Sequence, residues 1–208
     1  MSDDIVFYTN PMSRGRIARW MLEEVGQPYR TEVLDYGTPM KSPAYLAINP
    51  MGKVPAITHR GVTVTECAAI CAYLADAFPQ SGLAPAIDDP MRGTYLRWLF
   101  FAAGPVEAAI TARSNGLLPP EEKQGQVGFG TYDHMVDGLE HAVSQGDYIC
   151  GDRFTAADVY VGSQIQWGLM FETLPDRDAF KAYAGRIAGR PAAARARELD
   201  DALMPKQG

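Results

Sequence analysis

Near its N-terminus, the chain alternates between strand-like and helix-like patterns of apolar residues. The run Ile5–Thr9 has the length of a strand and stops at an Asn-Pro pair, which ends a ladder of hydrogen bonds. Apolar side chains then recur at helical spacing over Ser13–Val25, with Gly26 at the position where helices often end. Since Tyr29–Leu34 has strand character, this segment is expected to form a right-handed βαβ unit.

The stretch Asn49–Cys67 has the pattern of a β-hairpin that leads into a helix. Pro55 precedes two short β-branched runs, and a cis bond before it would present the backbone N–H and C=O of Val54 to a peptide-like ligand. A turn is expected around Gly61, followed by a helix over Glu66–Phe78 whose first N–H groups favour an anion. A plain hairpin packed on a helix explains the same pattern.

The resulting order, βαβ followed by ββα, is that of a thioredoxin-like domain, which we assign to residues 1–80. The stretch from Pro79 to Asp89 holds two prolines, a glycine and Ser81, and residues 81–89 are expected to form a linker. The remainder, 90–208, is dominated by helical patterns and predicts an all-helical bundle. The predicted fold class is therefore α/β in the first domain and all-α in the second.

Local signals organise the helical part. Gly104 and Pro105 lie inside a long predicted helix and should kink it. Thr155 and Asp158 form the pattern of a capping box at a helix start. The apolar segment Ile165–Phe171 is expected to supply the core of the helix that this box begins.

Composition restricts the class of function. A net charge of −6, without basic runs, argues against a nucleic-acid partner. The acidic N-terminus predicts no signal peptide, and the most apolar run, Trp98–Ala103, is too short to span a membrane. Cys67, Cys71 and Cys150 favour the reducing cytosol, and their spacing predicts no metal site. The histidines are expected to be peripheral and without function: His59, His134 and His141.

Several motifs together resemble one protein family. Asn49–Pro55 (Asn-Pro-Met-Gly-Lys-Val-Pro), Thr65–Ile70 (Thr-Glu-Cys-Ala-Ala-Ile) and Phe154–Asp158 (Phe-Thr-Ala-Ala-Asp) resemble the three signature segments of soluble glutathione S-transferases, in their usual order. Ser13–Glu24 is similar to the first helix of bacterial members. The resemblance covers essentially the full chain. It implies a cytoplasmic homodimer that uses glutathione as co-substrate, with no covalently bound cofactor.

The resemblance directs attention to the end of the first strand, where the family holds the glutathione thiol. Glutathione reacts as its thiolate, so the site must favour the anion. A hydroxyl that donates to sulfur at a helix N-terminus does so, and Ser13 fits that position. Tyr8 and Asn10 are alternatives, and Ser13 as a simple helix cap is another. The absence of a cysteine before Cys67 argues against the glutaredoxin-like members.

The other groups of glutathione suggest further contacts. Glu66 can accept from the γ-glutamyl ammonium, and the N–H of Cys67 at the helix start can bind the adjacent carboxylate. Most relatives have Ser or Thr where this chain has Cys67, which weakens a side-chain contact there. Val54 is expected to pair with the cysteinyl backbone. Lys41 and Lys53 are candidates for the glycine carboxylate, and either fits equally well as a solvated surface lysine.

An apolar pocket for the second substrate is the least specified part of the site. The helical domain is expected to shape this pocket, but aromatic residues at helical spacing more often belong to a core. The candidate lining residues are Met12, Trp98, Phe101, Arg113 and Trp167.

The resulting prediction is a transferase that adds the glutathione thiolate to a hydrophobic electrophile, mainly by thiolate stabilisation and positioning. A glutathione-dependent isomerase, lyase or peroxidase on the same site is the alternative among enzymes. A ligand- or partner-binding module with the same fold is the alternative outside enzymes. Ser13, Lys53 and Glu66 together argue against such a module, while Cys67 mildly favours it.

Overall fold

The computed structural model of the protein describes residues 4–204. Within them, four strands form one mixed sheet in the order β2-β1-β3-β4. The strands are β1 (Ile5–Thr9), β2 (Tyr29–Val33), β3 (Ala56–His59) and β4 (Val62–Thr65). β1 is parallel to β2 and antiparallel to β3, which in turn is antiparallel to β4. The expected βαβ unit and the thioredoxin-like order are confirmed.

Helices α1 (Gly15–Val25), α2 (Pro43–Leu46) and α3 (Cys67–Ala77) accompany this sheet. α1 ends where expected, because Gly26 adopts φ 69° and its N–H donates to the Leu22 carbonyl. Short 3₁₀ turns cover Pro39–Lys41 and Pro79–Ser81. The largest fully buried apolar side chains here are those of Ile5, Phe7, Ile17, Met21, Leu22, Ile57, Ile70 and Leu74.

The turn between β3 and β4 consists of two residues with positive φ, Arg60 at 52° and Gly61 at 78°, as a type I′ turn requires. His59, just before the turn, is buried, and its Nδ1 lies 3.0 Å from the Tyr73 hydroxyl oxygen. Its ring stacks on Phe78. The prediction that His59 is peripheral is therefore wrong, because β3 is an inner strand and is covered to its last residue.

Contacts divide the chain into two compact units, of which the second is Gly82–Ala188. Its helices are α4 (Met91–Phe101), α5 (Glu107–Ser114), α6 (Tyr132–Val143), α7 (Ala156–Met170) and α8 (Asp178–Ala188). α4 passes into α5 through a π-helical segment, Ala102–Val106, which contains Pro105. The disturbance expected at Gly104 and Pro105 thus takes the form of a widened turn.

The last helix, α9 (Pro191–Asp201), belongs to the first unit, which comprises the chain up to Ser81 and the residues from Gly189 onward. The sequence pattern shows only that this segment is helical and led us to group it with the helical domain. In the structure, α9 packs on α1.

α7 begins at the predicted capping box. The Asp158 carboxylate accepts hydrogen bonds from the Thr155 N–H at 2.8 Å and the Thr155 hydroxyl at 2.9 Å. It also accepts from the Ile149 N–H and the Tyr183 hydroxyl, both at 2.7 Å. Burial raises the pKa of Asp158, while these four donors favour its ionised form. One carboxylate therefore joins α7, α8 and the preceding loop.

The buried part of α7 is Ala156–Ile165, not the predicted Ile165–Phe171, since Met170 and Phe171 are 69% and 65% exposed. The capped start of the helix is buried and its end is exposed. The number of apolar residues in each half does not reveal which half is buried. Among the helices of residues 4–204, none combines the length and apolar character that a bilayer crossing requires.

Replacing the buried carboxylate tests this network. Asp158→Asn places an amide NH₂ against groups that are themselves donors, so the free energy of unfolding should fall by about 3 kcal/mol. Urea unfolding followed by circular dichroism measures the change. Asp178→Asn, at the fully exposed start of α8, is the matched control and should shift it by less than about 0.5 kcal/mol. Equal effects would contradict the structural importance of Asp158.

Candidate functional site

One edge of the sheet brings together the segments that the sequence assigned to a binding site. The end of β1 pairs with the start of β3 through Tyr8 and Ala56, and the start of β3 pairs with the end of β4. Residues that follow β1, precede β3 and follow β4 therefore emerge at the same edge. These residues include Ser13, Val54 and Glu66.

The β1–α1 loop, residues 10–14, is held by the side chain of Asn10. Its Nδ2 donates to the Leu34 carbonyl at 2.9 Å, and its Oδ1 accepts from the Met12 N–H at 2.9 Å. Asn10 is 3% exposed. Because both ends of the amide are used within the protein, Asn10 shapes the loop and is a weak candidate for contact with a thiol.

Ser13 is half-buried at the entrance to α1. Its hydroxyl donates to the Asn10 carbonyl at 2.7 Å and accepts from the Gly15 N–H at 2.9 Å. The residue that caps α1 is Arg14, which makes no side-chain cap hydrogen bond, but the Ser13 oxygen accepts from the first N–H of the helix and lies where the helix N-terminus favours negative charge. The contact of Ser13 with a thiol stays a prediction.

Gly15, the first residue of α1, permits this close packing. A Cβ atom at position 15 would overlap the Thr9 hydroxyl oxygen and lie 2.9 Å from the Ser13 Oγ. The sequence analysis missed this requirement. The available signal was a glycine at the start of a helix, where it weakens the helix and therefore needs a local reason.

Tyr8, the second alternative for the thiol contact, is half-buried on β1. Its ring lies 5.7 Å from that of Tyr45, centroid to centroid. The Tyr45 hydroxyl donates to the Lys53 carbonyl at 2.7 Å, and burial raises the pKa of Tyr45 to about 12. Tyr8 therefore packs beside the loop that leads into β3, and its hydroxyl forms no hydrogen bond with residues 4–204.

Asn49 and Gly52 shape the loop before β3. The Asn49 Nδ2 donates to the Lys53 carbonyl at 2.7 Å, and its Oδ1 accepts from the Met51 N–H at 3.0 Å. Gly52 adopts φ 56°, and a Cβ there would lie 2.6 Å from the Met40 carbonyl oxygen. The motif Asn-Pro-Met-Gly is thus explained by backbone geometry.

Val54 has a half-buried side chain and a cis bond to Pro55. Within the described part of the chain, its N–H and C=O make no hydrogen bond. A backbone that continues toward a strand but lacks partners is suited to pair with an extended peptide.

The two candidate lysines have different surroundings. The Lys41 Nζ donates to the carbonyls of Met51 and Gly52, at 2.9 and 3.0 Å, and so fastens the loop before β3. Lys53 is exposed, and its ammonium has no partner among residues 4–204. Lys53 is therefore the more available group for an anionic ligand.

Glu66 has a backbone conformation that is rare outside glycine, with φ 63° and ψ 121°. Its side chain is exposed, and its carboxylate forms no hydrogen bond or ion pair with the residues that the structure describes. Strain of this kind tends to occur at functional sites, where it directs a group toward a ligand. The sequence predicted the residue but gave no signal for the strain.

Cys67, the first residue of α3, points its thiol into the protein. The Sγ donates to the Arg14 carbonyl at 3.4 Å, and the residue is 7% exposed. This contact joins the N-termini of α1 and α3. Burial raises the pKa of Cys71, one turn later, well above its ordinary value. No group of three or more potential metal ligands occurs within residues 4–204.

The residues proposed for the apolar pocket are differently exposed. Met12, beside Ser13, is 57% exposed, whereas Trp98 is 5% exposed and packs edge-to-face on Phe101. The Arg113 guanidinium lies 4.1 Å from the centre of the Tyr132 ring, within the helical unit.

Trp167 is half-buried. Trp98, in contrast, fits the interpretation as a core residue, because a side chain that is enclosed by its own helices has little surface left for a ligand.

Comparison with known proteins supports the assignment of these segments. The family model described as "Glutathione S-transferase, N-terminal domain" matches residues 12–77, and "Glutathione S-transferase, C-terminal domain" matches residues 96–191. Glutathione S-transferase GstA of Escherichia coli O157:H7 is 30% identical over 164 residues, which is 76% of each chain.

Solved structures show the same architecture. A glutathione transferase from Methylococcus capsulatus superposes with a TM-score of 0.78 at 27% identity, covering 95% of this chain and 99% of that one. A sphingomonad glutathione S-transferase complexed with glutathione gives a TM-score of 0.75 at 28% identity, covering 94% and 98%. The chain therefore belongs to the glutathione S-transferase family, enzymes that use glutathione as co-substrate, and the identification made from its motifs is confirmed.

Proposed function

We propose that this protein transfers glutathione to a hydrophobic electrophile, and that its glutathione site is the edge of the sheet where Ser13, Val54 and Glu66 emerge. The observation that carries the proposal is the backbone of Val54, which makes no hydrogen bond with any residue from 4 to 204 and lies at the same edge of the sheet as the Ser13 loop. An extended cysteinyl backbone that pairs with Val54 would bring its thiol toward the end of β1. The family membership of the chain supports the same reaction.

Ser13 stabilises the thiolate in this proposal. Rotation of its O–H from the Asn10 carbonyl toward sulfur would donate a hydrogen bond to the anion, while the Gly15 N–H continues to polarise the oxygen. A thiol pKa near 8.5 leaves only a small fraction ionised at neutral pH. Lowering it by about two units requires roughly 2.7 kcal/mol, which one charge-assisted hydrogen bond and a helix N-terminus can supply.

The charged ends of glutathione have separate partners. Glu66, which is exposed and held in a strained conformation, accepts from the γ-glutamyl ammonium. The N-terminus of α3 favours the neighbouring carboxylate, with Cys67 contributing its backbone, since its thiol is turned toward Arg14. Lys53 pairs with the glycine carboxylate. Lys41 affects the binding of this carboxylate only indirectly, because its ammonium is hydrogen-bonded to the loop before β3.

Three broader properties complete the proposal. The exposed side chain of Met12 offers apolar surface beside the reacting sulfur, which suits a hydrophobic electrophile. The family resemblance favours a homodimer. Cys67, Cys71 and Cys150 are buried and form no disulfide, which favours a reducing compartment such as the cytoplasm.

Ser13→Ala tests the thiolate contact. Loss of one charge-assisted hydrogen bond should lower kcat/KM with an aryl halide by roughly tenfold to a hundredfold and raise the pKa of the bound thiol by about one to two units. Initial rates and an ultraviolet titration of the enzyme-bound thiolate measure these effects. Tyr8→Phe is the control and should change kcat/KM by less than about twofold. A large loss of kcat/KM in Tyr8→Phe with none in Ser13→Ala would show that Tyr8 contacts the thiolate. Glutathione binding without turnover across a panel of electrophiles would indicate a binding module.

Glu66→Gln tests the contact with the ammonium. Removing the charge should weaken glutathione binding about tenfold and leave kcat nearly unchanged, because the contact is equal in ground and transition states. Isothermal titration calorimetry and steady-state rates separate the two. The matched control is Glu172→Gln, since Glu172 is also exposed and has φ 56°. Unchanged affinity in Glu66→Gln would remove this residue from the site.

The two lysines can be distinguished by their effects on binding and stability. Lys53→Gln should weaken glutathione binding about fivefold and leave the melting temperature unchanged, because its ammonium contacts only the ligand. Lys41→Gln should lower the melting temperature by about 3 °C, because the loop before β3 loses two hydrogen bonds. Isothermal titration calorimetry measures the affinity of both variants for glutathione, and differential scanning calorimetry measures their melting temperatures. A weaker affinity in Lys41→Gln at unchanged stability would identify Lys41 as the ligand contact.

A further inference from the structure

Helix α9 is joined to α1 by a row of ion pairs. Arginines and carboxylates alternate between the two helices, so that each side contributes both charges. Among residues 4–204, four such pairs connect α1 to α9 and the residue that precedes it: Arg16–Asp201, Arg19–Asp200, Glu24–Arg190 and Glu23–Arg195. The first of these lies beside the candidate site.

Arg16 connects α9 directly to the β1–α1 loop. Its Nε donates to the Pro11 carbonyl at 2.6 Å, and its Nη2 bonds Asp201 at 2.7 Å. A guanidinium is planar and presents its donors in a fixed fork, so the position of Asp201 determines where the Nε points. One side chain thus links the end of the chain to the loop that carries Ser13.

The contact acts on a peptide plane that is held at both ends. The carbonyl of Pro11 and the N–H of Met12 belong to the same planar unit, which cannot twist internally. Arg16 holds the carbonyl, and the Asn10 Oδ1 holds the N–H at 2.9 Å. Ser13 follows directly, so the orientation of this plane determines the direction of its hydroxyl. The Tyr36 hydroxyl also donates to the Met12 carbonyl, but this bond is longer, at 3.3 Å, and exposed.

The neighbouring pair fixes α9 on α1. Arg19 and Asp200 are buried, with side chains 3% and 1% exposed and an Nε–Oδ1 distance of 2.7 Å. The Arg19 guanidinium also donates to the Tyr29 hydroxyl and lies over the Phe7 ring of β1. Because Asp200 is anchored in this way, Asp201 is brought into reach of Arg16.

We propose that α9 is a positioning element of the thiol site and that it acts through Arg16, whose guanidinium, oriented by Asp201, fixes the Pro11–Met12 peptide and thereby the hydroxyl of Ser13. The inference rests on the proposed contact of Ser13 with the glutathione thiolate. Arg16 and Asp201 are 28% and 65% exposed, so their pair contributes little to global stability. Its effect should therefore appear in the chemistry of the site.

Arg16→Gln and Asp201→Asn test the proposal in the full-length protein. Arg16→Gln should raise the pKa of the bound thiol by about one unit and lower kcat at pH 7 about threefold, while KM for glutathione changes less than about twofold. Asp201→Asn should change both quantities in the same direction by less, because the amide oxygen can still accept. Arg16→Lys keeps the charge but not the fork, so the thiol pKa should stay raised as in Arg16→Gln, while the melting temperatures of both variants remain close to that of the wild type.

Arg195→Gln is the matched control, since it breaks an ion pair between the same helices away from the loop. It should leave the thiol pKa and kcat unchanged. A wild-type thiol pKa in Arg16→Gln, or a wild-type thiol pKa and kcat in Arg16→Lys, would overturn the proposal. If the wild-type enzyme does not lower the thiol pKa, or Ser13→Ala does not raise it, the proposed function itself fails, and the two failures are thus distinguishable.

Discussion

The register of β1 against β3 is the constraint on which the candidate site depends. Because Tyr8 pairs with Ala56, the loop after β1 emerges next to the residues that lead into β3. A slip of one residue would turn the buried faces of both strands outward, so the hydrophobic core specifies this register firmly. Phe7 and Ile57, paired across the two strands and fully buried, belong to that core. The geometry of the site therefore follows from packing that involves no ligand.

Within this frame, the site residues differ in how they are used. The side chains of Asn10, Lys41 and Asn49 donate hydrogen bonds to backbone carbonyls of the loops. Those of Lys53 and Glu66 extend into solvent. The distinction separates groups that build the site from groups that are available to a ligand. It also makes the loops rigid, because their carbonyls and N–H groups are satisfied by fixed side chains. Because the loop fixes the position of the Ser13 oxygen, only its O–H has to turn from the Asn10 carbonyl to donate to an anion.

The sequence predicted the parts of the fold that local patterns encode. Strand length, helical spacing and the Asn-Pro-Met-Gly and Phe-Thr-Ala-Ala-Asp motifs specified the βαβ unit, the site loop and the start of α7. What it did not predict depends on contacts between distant segments. The burial of His59 follows from the order of strands in the sheet, and Arg16 meets a carboxylate 185 residues later in the chain. Ser13 was proposed from its position after a strand and at a helix start once the family resemblance had pointed to that strand end, whereas Glu66 was proposed from the resemblance, and the roles of both residues stay predictions.

A crystal structure of the protein with bound glutathione tests the central claim most directly. The account predicts the sulfur within hydrogen-bonding distance of the Ser13 Oγ, the cysteinyl backbone paired with Val54, and the ammonium at Glu66. Glutathione bound away from this edge, or a sulfur that contacts Tyr8 while Ser13 still donates to the Asn10 carbonyl, would contradict it.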